Sequence, residues 1–113
     1  MDKYLGVEIA PRPACYIDAF TGERNGTVTP REVGRLIGEH LRFDLGDPQQ
    51  GIFFLDEAGG ETRVSSVGLN KPGHLVFIVP ELVTGRYGLE VRALFNGDGD
   101  LRTGKLKEAL TVG

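Results

Sequence analysis

The sequence predicts an all-β chain, an antiparallel β-sandwich of about seven strands, and three observations carry that expectation. The first is a stretch in which Tyr87, Leu89, Val91, Ala93 and Phe95 alternate with Gly88, Glu90, Arg92 and Leu94. A period of two gives a strand one dry face. The second is a pair of apolar runs, Ile52-Phe53-Phe54-Leu55 and Leu75-Val76-Phe77-Ile78-Val79, which suit central strands. The third is punctuation: seventeen glycines and six prolines in 113 residues, with no long helix-forming tract, place turn signals about every 8 to 12 residues. Tyr87, opening its strand, also fits a tyrosine corner, ring inward and hydroxyl bonded back to the preceding loop.

Taken in order, residues 1–13 end in Ala10-Pro11-Arg12-Pro13, whose prolines favour extended backbone and obstruct pairing. They read as a linker arm, leaving 14–113 as the domain. Residues 14–20 form a strand with Cys15, Ile17 and Ala19 on one side and Tyr16, Asp18 and Phe20 on the other. The turn 21–26 follows, its Asn25-Gly26 taking positive φ at little cost. Residues 30–41 support two readings. Thr29-Pro30-Arg31-Glu32 resembles a helix N-terminus, and Val33, Leu36, Ile37, His40 and Leu41 fall at helical spacing. Against a helix stand Gly34 and Gly38, each costing about 1 kcal/mol relative to alanine, and the alternation of Leu41-Arg42-Phe43. After the central strand 52–55, the more polar 61–67 reads as its hairpin partner and as the first candidate for an edge. Asn70-Lys71-Pro72-Gly73 opens the next strand and Pro80 closes it; Asn96-Gly97-Asp98-Gly99-Asp100 turns the chain after the Tyr87 strand. Residues 101–112 offer a last strand with Leu106, Leu110 and Val112 inward and an interruption near Lys107-Glu108.

Composition narrows the function classes. Hydrophobic residues at 40% and charged ones at 26% are ordinary for a globular domain, and a chain of this length buries roughly two thirds of its unfolded surface. A single cysteine, Cys15, forms no internal disulfide and favours a reducing compartment. Net charge is -3 and the isoelectric point about 5.3, so no nonspecific attraction to nucleic-acid phosphates is expected. The first residues lack the charged leader and apolar run of a signal peptide, and no stretch has the length of a membrane span. No membrane association is expected.

Candidate sites each meet a simpler alternative. Asn96, Asp98 and Asp100 alternate like the start of a calcium loop, but the sixth and twelfth positions are Leu101 and Lys107, where such a loop requires glycine and a bidentate glutamate. A turn explains them. His40 and His74 lack metal-ligand spacing to any partner; His40 reads as partly buried beside Leu41, and His74 as opening a strand. A small hydrolase would need one of them to converge on Ser65, Ser66 or Cys15, and Cys15 reads as a small buried hydrophobe. The glycines form no phosphate loop. Arg35, Arg42, Arg63, Arg86 and Arg92 could form a basic stripe, although Glu39, Glu61 and Glu90 are available as cross-strand partners. Phe20, Phe43 and Tyr16 read as core. No catalytic, cofactor-binding or metal-ligating residue is assigned; the chain reads as a nonenzyme.

The order Phe20-Thr21-Gly22, Gly26-Thr27-Val28-Thr29-Pro30, Leu41-Arg42-Phe43, Gly51-Ile52-Phe53-Phe54, Val79-Pro80-Glu81-Leu82 and Gly85-x-Tyr87-x-Leu89-x-Val91 resembles a bacterial Ig-like domain of unknown function found C-terminal to HU-like DNA-binding domains. Its layout is similar to the wider IPT/TIG group. The resemblance covers about residues 14–113, departs from the family pattern at Arg31-Glu32-Val33, and brings no established ligand-binding residue. It implies an Ig-like antiparallel β-sandwich in which Thr29-Pro30 is a turn feeding a strand over 35–43. It further implies a noncatalytic interaction or spacer module, cytoplasmic and nucleoid-associated. Such a module would meet a protein partner or its own copy through edge strands, and DNA through the tethered HU-like domain. The alternative is a cell-surface carbohydrate-binding or adhesion module.

Overall fold

The computed structural model describes residues 9–95 and 100–113. It contains β1 (Arg12–Asp18), β2 (Val33–Glu39), β3 (Gly51–Asp56), β4 (Glu61–Arg63), β5 (Ser66–Lys71), β6 (His74–Ile78), β7 (Gly85–Ala93), β8 (Arg102–Lys105) and β9 (Leu110–Val112). One antiparallel sheet has the order β1-β2-β6-β5; the other has β4-β3-β7-β8, with β9 also pairing β7. The chain is thus the expected all-β sandwich, with nine strands among the described residues rather than seven. Among the described residues no helix is long and apolar enough to cross a membrane.

Two splits account for the extra strands. Residues 61–67 divide between the sheets: β4 pairs β3, β5 pairs β6, and the buried Val64 between them bonds from its N–H to the Ile52 carbonyl at 2.9 Å. The C-terminal stretch breaks at Lys107-Glu108 as anticipated, while Leu106, Leu110 and Val112 all point into the core. The first strand starts at Arg12, two residues earlier than expected, with a bulge between Pro13 and Cys15.

Alternation along the strands fills the space between the sheets. Tyr16, Leu36, Leu75 and Phe77 from the first sheet face Ile52, Phe54, Leu89 and Val91 from the second, all essentially without solvent exposure. Phe54 ties the layers, with ring centroids 6.4 Å from both Phe77 and Tyr87. The tyrosine corner is present, the Tyr87 hydroxyl donating to the Val83 carbonyl at 2.7 Å.

The ambiguous segment is a strand, and its glycines show why. A Cβ on Gly34 would lie 2.6 Å from the Tyr16 hydroxyl oxygen, and one on Gly38 would lie 2.2 Å from the Arg12 carbonyl oxygen. Both positions therefore accommodate the close approach of β1. The apparent helix start fails because Arg31 sits at φ 68°, outside the helical region, with its N–H on the Val79 carbonyl at 2.8 Å. The strand runs over Val33–Glu39 instead of 35–43 and stops where His40 takes φ 55°.

The outer edge of β1 is covered by its own following loop. Asn25, at φ 53°, donates from its N–H to the Tyr16 carbonyl at 2.8 Å. Its side-chain Oδ1 accepts from the Tyr16 N–H at 2.8 Å. Arg24 bridges Ile17 beside it.

Candidate functional site

An open cleft of about 950 Å³ lies at one end of the sandwich, between the segment after β2, the β5–β6 turn and the end of β7. Its floor is braced by side chains that substitute for backbone pairing. Asn70 clasps Phe43, Oδ1 accepting from the Phe43 N–H at 3.2 Å and Nδ2 donating to the Phe43 carbonyl at 2.7 Å. Buried Gln50 accepts through Oε1 from the N–H groups of Asp44 and Leu94 at 3.0 and 3.1 Å, and donates from Nε2 to Asp47 at 3.1 Å. Arg63 donates to the carbonyls of Gln50, at 2.9 and 2.7 Å, and of Asp47, at 3.2 Å. The Asp47 carboxyl is held below the usual carboxylate range, first by the Gln49 N–H, then by Gln50 and the Arg63 charge. These polar groups are consumed in ordering the loop, and the cleft keeps an exposed rim of His40, Arg42 and Asp44.

The residues singled out from sequence do not converge. His40 is exposed rather than partly buried, its ring edge-on to Phe95 at 6.3 Å. His74 opens β6 as expected. Cys15 and His74 both lie opposite Ile37 in register, on its two sides. That separation is two inter-strand spacings, about 9.6 Å between backbones, with the outward Ile37 standing between them. Cys15 is half-buried on the outer face, not in the core, because Tyr16 and Asp18 take the inward positions. Tyr16 and Phe43 are core, whereas Phe20 is 67% exposed. Asn96 to Gly99 of the calcium-like stretch lie outside the described residues. Among those described, no group of three His, Cys, Asp or Glu could hold a metal.

The arginines do not form a stripe, and the two outer faces differ sharply. On the β3–β7 sheet, the Arg92 guanidinium lies over the Phe53 ring at 3.9 Å and bonds Glu61, at 2.8 and 3.1 Å, and Glu90, at 2.5 Å. Lys105 adds a contact to Glu90 at 3.9 Å. The Arg92 bond holds the Glu61 carboxyl below its ordinary value, and Glu61 and Glu90 hold the Arg92 proton more tightly than usual. The centre of this face has its charges paired, while Arg86, on the same strand as Arg92, stands exposed towards its other end. The other sheet presents Ile17, Val33, Ile37, Leu69, Val76 and Ile78 outward, five of them half-buried and Ile78 39% exposed. Arg35 stands among them, exposed.

Besides Gln50 and Asn70 in the cleft floor, a buried carboxylate escaped sequence reasoning. Asp18 is fully buried and accepts four hydrogen bonds, from the N–H and hydroxyl of Thr21 at 3.3 and 2.8 Å and from those of Thr29 at 3.3 and 2.8 Å. Such saturation lets a buried carboxylate stay inside. It pins the β1–β2 connection. The available signal was an aspartate at an inward alternating position with threonine three residues on.

Two antiparallel sheets packed face to face, a tyrosine corner and a covered edge define an Ig-like sandwich domain. The chain belongs to the family of the domain of unknown function DUF4469 with Ig-like fold, which matches residues 16–108. Among solved structures it is similar to a Bacteroides vulgatus protein described as a "putative bacterial DNA binding protein", with TM-score 0.77 and 24% identity. That match covers 96% of this chain and 50% of the other, so the chain spans about half the length of that protein. It is also similar to PcoC, a methionine-rich copper resistance protein from Escherichia coli, with TM-score 0.50 and 20% identity over 93% of this chain and 100% of that one. At these identities the likeness is one of fold; this chain has one methionine. No curated protein matches the chain.

Proposed function

We propose that this chain is a noncatalytic interaction module, the accessory domain C-terminal to an HU-like DNA-binding domain, working in the bacterial cytoplasm at the nucleoid. The observation that carries the reading is the contrast between the centres of the outer faces: one holds a paired cluster of charges, the other offers aliphatic side chains to a partner. Supporting it, the fold aligns with half of a chain described as a "putative bacterial DNA binding protein", and the reading assigns DNA contact to a neighbouring domain. The acidic balance and the scattered arginines agree with a domain that meets DNA through its neighbour. The IPT/TIG-like order of turns fits the same role.

Fluorescence-anisotropy titration of a short DNA duplex at about 0.15 M salt tests this, using the parent protein, the parent without this domain, and this chain alone. The first two are expected to bind alike, and the chain alone to leave the signal unchanged. Binding by the chain alone, weakening steeply with salt, would overturn the reading.

A further inference from the structure

We propose that the outer face of the β1-β2-β6-β5 sheet docks a partner protein's single aliphatic segment bearing a carboxylate, with Arg35 as its anchor. This deepens the interaction-module reading and rests on it. Register puts Arg35 at the centre: Ile17 and Val76 lie directly across on the neighbouring strands, and Val33 and Ile37 flank it along its own strand. Leu69 continues the row beyond Val76. At the centre of the other sheet's outer face, Arg92, Glu61, Glu90 and Lys105 find counter-charges. Arg35 has none among the described residues.

An arginine ringed by β-branched side chains is the composition of an interface centre rather than of a solvated surface. Its guanidinium offers a fork of donors matched to a carboxylate. Around it the charges stay positive: Arg24 reaches over this face to Cys15 at 4.0 Å, and exposed Lys71 closes the row beside His74. Glu39 is the one acidic strand residue on the face, at its far end. On a chain of net charge -3, this is a local cationic field, and it calls for an acidic partner.

Size and symmetry narrow the occupant. Three inter-strand gaps make the face about 14 Å wide, and four residues of rise make its apolar centre about 13 Å long. That suits one segment of a partner and is far below an obligate dimer interface. A second copy packed about a twofold axis here would set Arg35 against Arg35, which like charge opposes. A nucleic-acid backbone would leave the aliphatic ring without a counterpart. The edges are poorer sites: β1 is covered by Asn25, and β5 is kinked by an irregularity between Val67 and Leu69.

The test is selection of random linear peptides displayed on phage against the whole chain, followed by affinities of synthetic peptides. Selected peptides are expected to carry Asp or Glu flanked by aliphatic residues. Their amide-shift perturbations should map to β1, β2 and β6. Arg35→Ala should weaken them about tenfold or more, and Arg35→Glu should bind the same peptide with its acid changed to lysine. Arg35 is exposed, so both variants should melt with the parent chain. Peptides without acid enrichment, peptides indifferent to Arg35→Ala, displacement by duplex DNA, or no binder at all would overturn the proposal. Peptides that fall away on Arg42→Ala but not Arg35→Ala would move the site to the end cleft, overturning this assignment and leaving the interaction module standing.

Discussion

Replacing Tyr16 by phenylalanine should stabilise the chain, and more so in alkali. The Tyr16 hydroxyl is fully buried and has no hydrogen-bond partner among the described residues; it lies over Gly34, in the space a Cβ would occupy. An unsatisfied buried hydroxyl costs about 1–3 kcal/mol. Removing it leaves a void of one oxygen, worth a few tenths of a kcal/mol at about 24 cal/mol per Å³. The net gain should be about 1 kcal/mol at pH 7, or about 4 °C in melting temperature for a chain of this size. Burial first, and the Asp18 charge second, push the Tyr16 pKa well above 10.0. The unfolded tyrosine ionises near 10 while the folded one stays neutral, so the unfolded state binds fewer protons and wild-type stability falls as pH rises. The loss is about 1.4 kcal/mol per pH unit above that point. The variant lacks this dependence, and its advantage should grow to about 2 kcal/mol by pH 11. Urea unfolding followed by circular dichroism at the two pH values measures it, all other titrating groups being common to both proteins. A variant less stable by more than about 1 kcal/mol at pH 7, or an advantage that does not grow with pH, would refute the reasoning.

Three further outcomes are expected. Gly38→Ala should cost about 3 kcal/mol by overpacking, since its Cβ would meet the Arg12 carbonyl at 2.2 Å, while Gly88→Ala, with nothing within 4 Å, should be near neutral; chemical denaturation separates them. Tyr87→Phe should cost about 1 kcal/mol, because it removes the bond to Val83, and hydrogen exchange should speed in the loop before β7. Glu61 and Asp47 have depressed folded pKa values, so their stabilisation is complete above the ordinary carboxylate value and is lost as pH falls through the lower folded one. Glu61→Gln should therefore flatten the acid limb of the melting-temperature profile below about pH 4.5, and an unchanged limb would count against the Arg92 pairing.

Much of the fold was legible because its causes are local. The period of two around Leu89 and the four-residue reach from Tyr87 to Val83 lie within one stretch of sequence, and so does the break at Lys107-Glu108. What stayed hidden depends on distant approach. Gly34 and Gly38 argue against a helix, but their reason is the contact with Tyr16 and Arg12. Val64 looks like one more strand residue until the sheets it joins are known. Asp18 draws on Thr29, eleven residues away, and the cleft floor rests on Asn70 and Phe43, 27 residues apart. Arg35 reads as one of several scattered cations; register alone surrounds it with aliphatic side chains.

Asn25 closes the free side of β1 with both its backbone and its amide, and a row of bare donors and acceptors there would be a template for fibril growth. With that row capped by a loop only a few residues downstream, a second copy finds no ladder to extend along β1. On that side the domain is closed to its own kind, because a single left-handed asparagine has already taken the place a neighbour would seek.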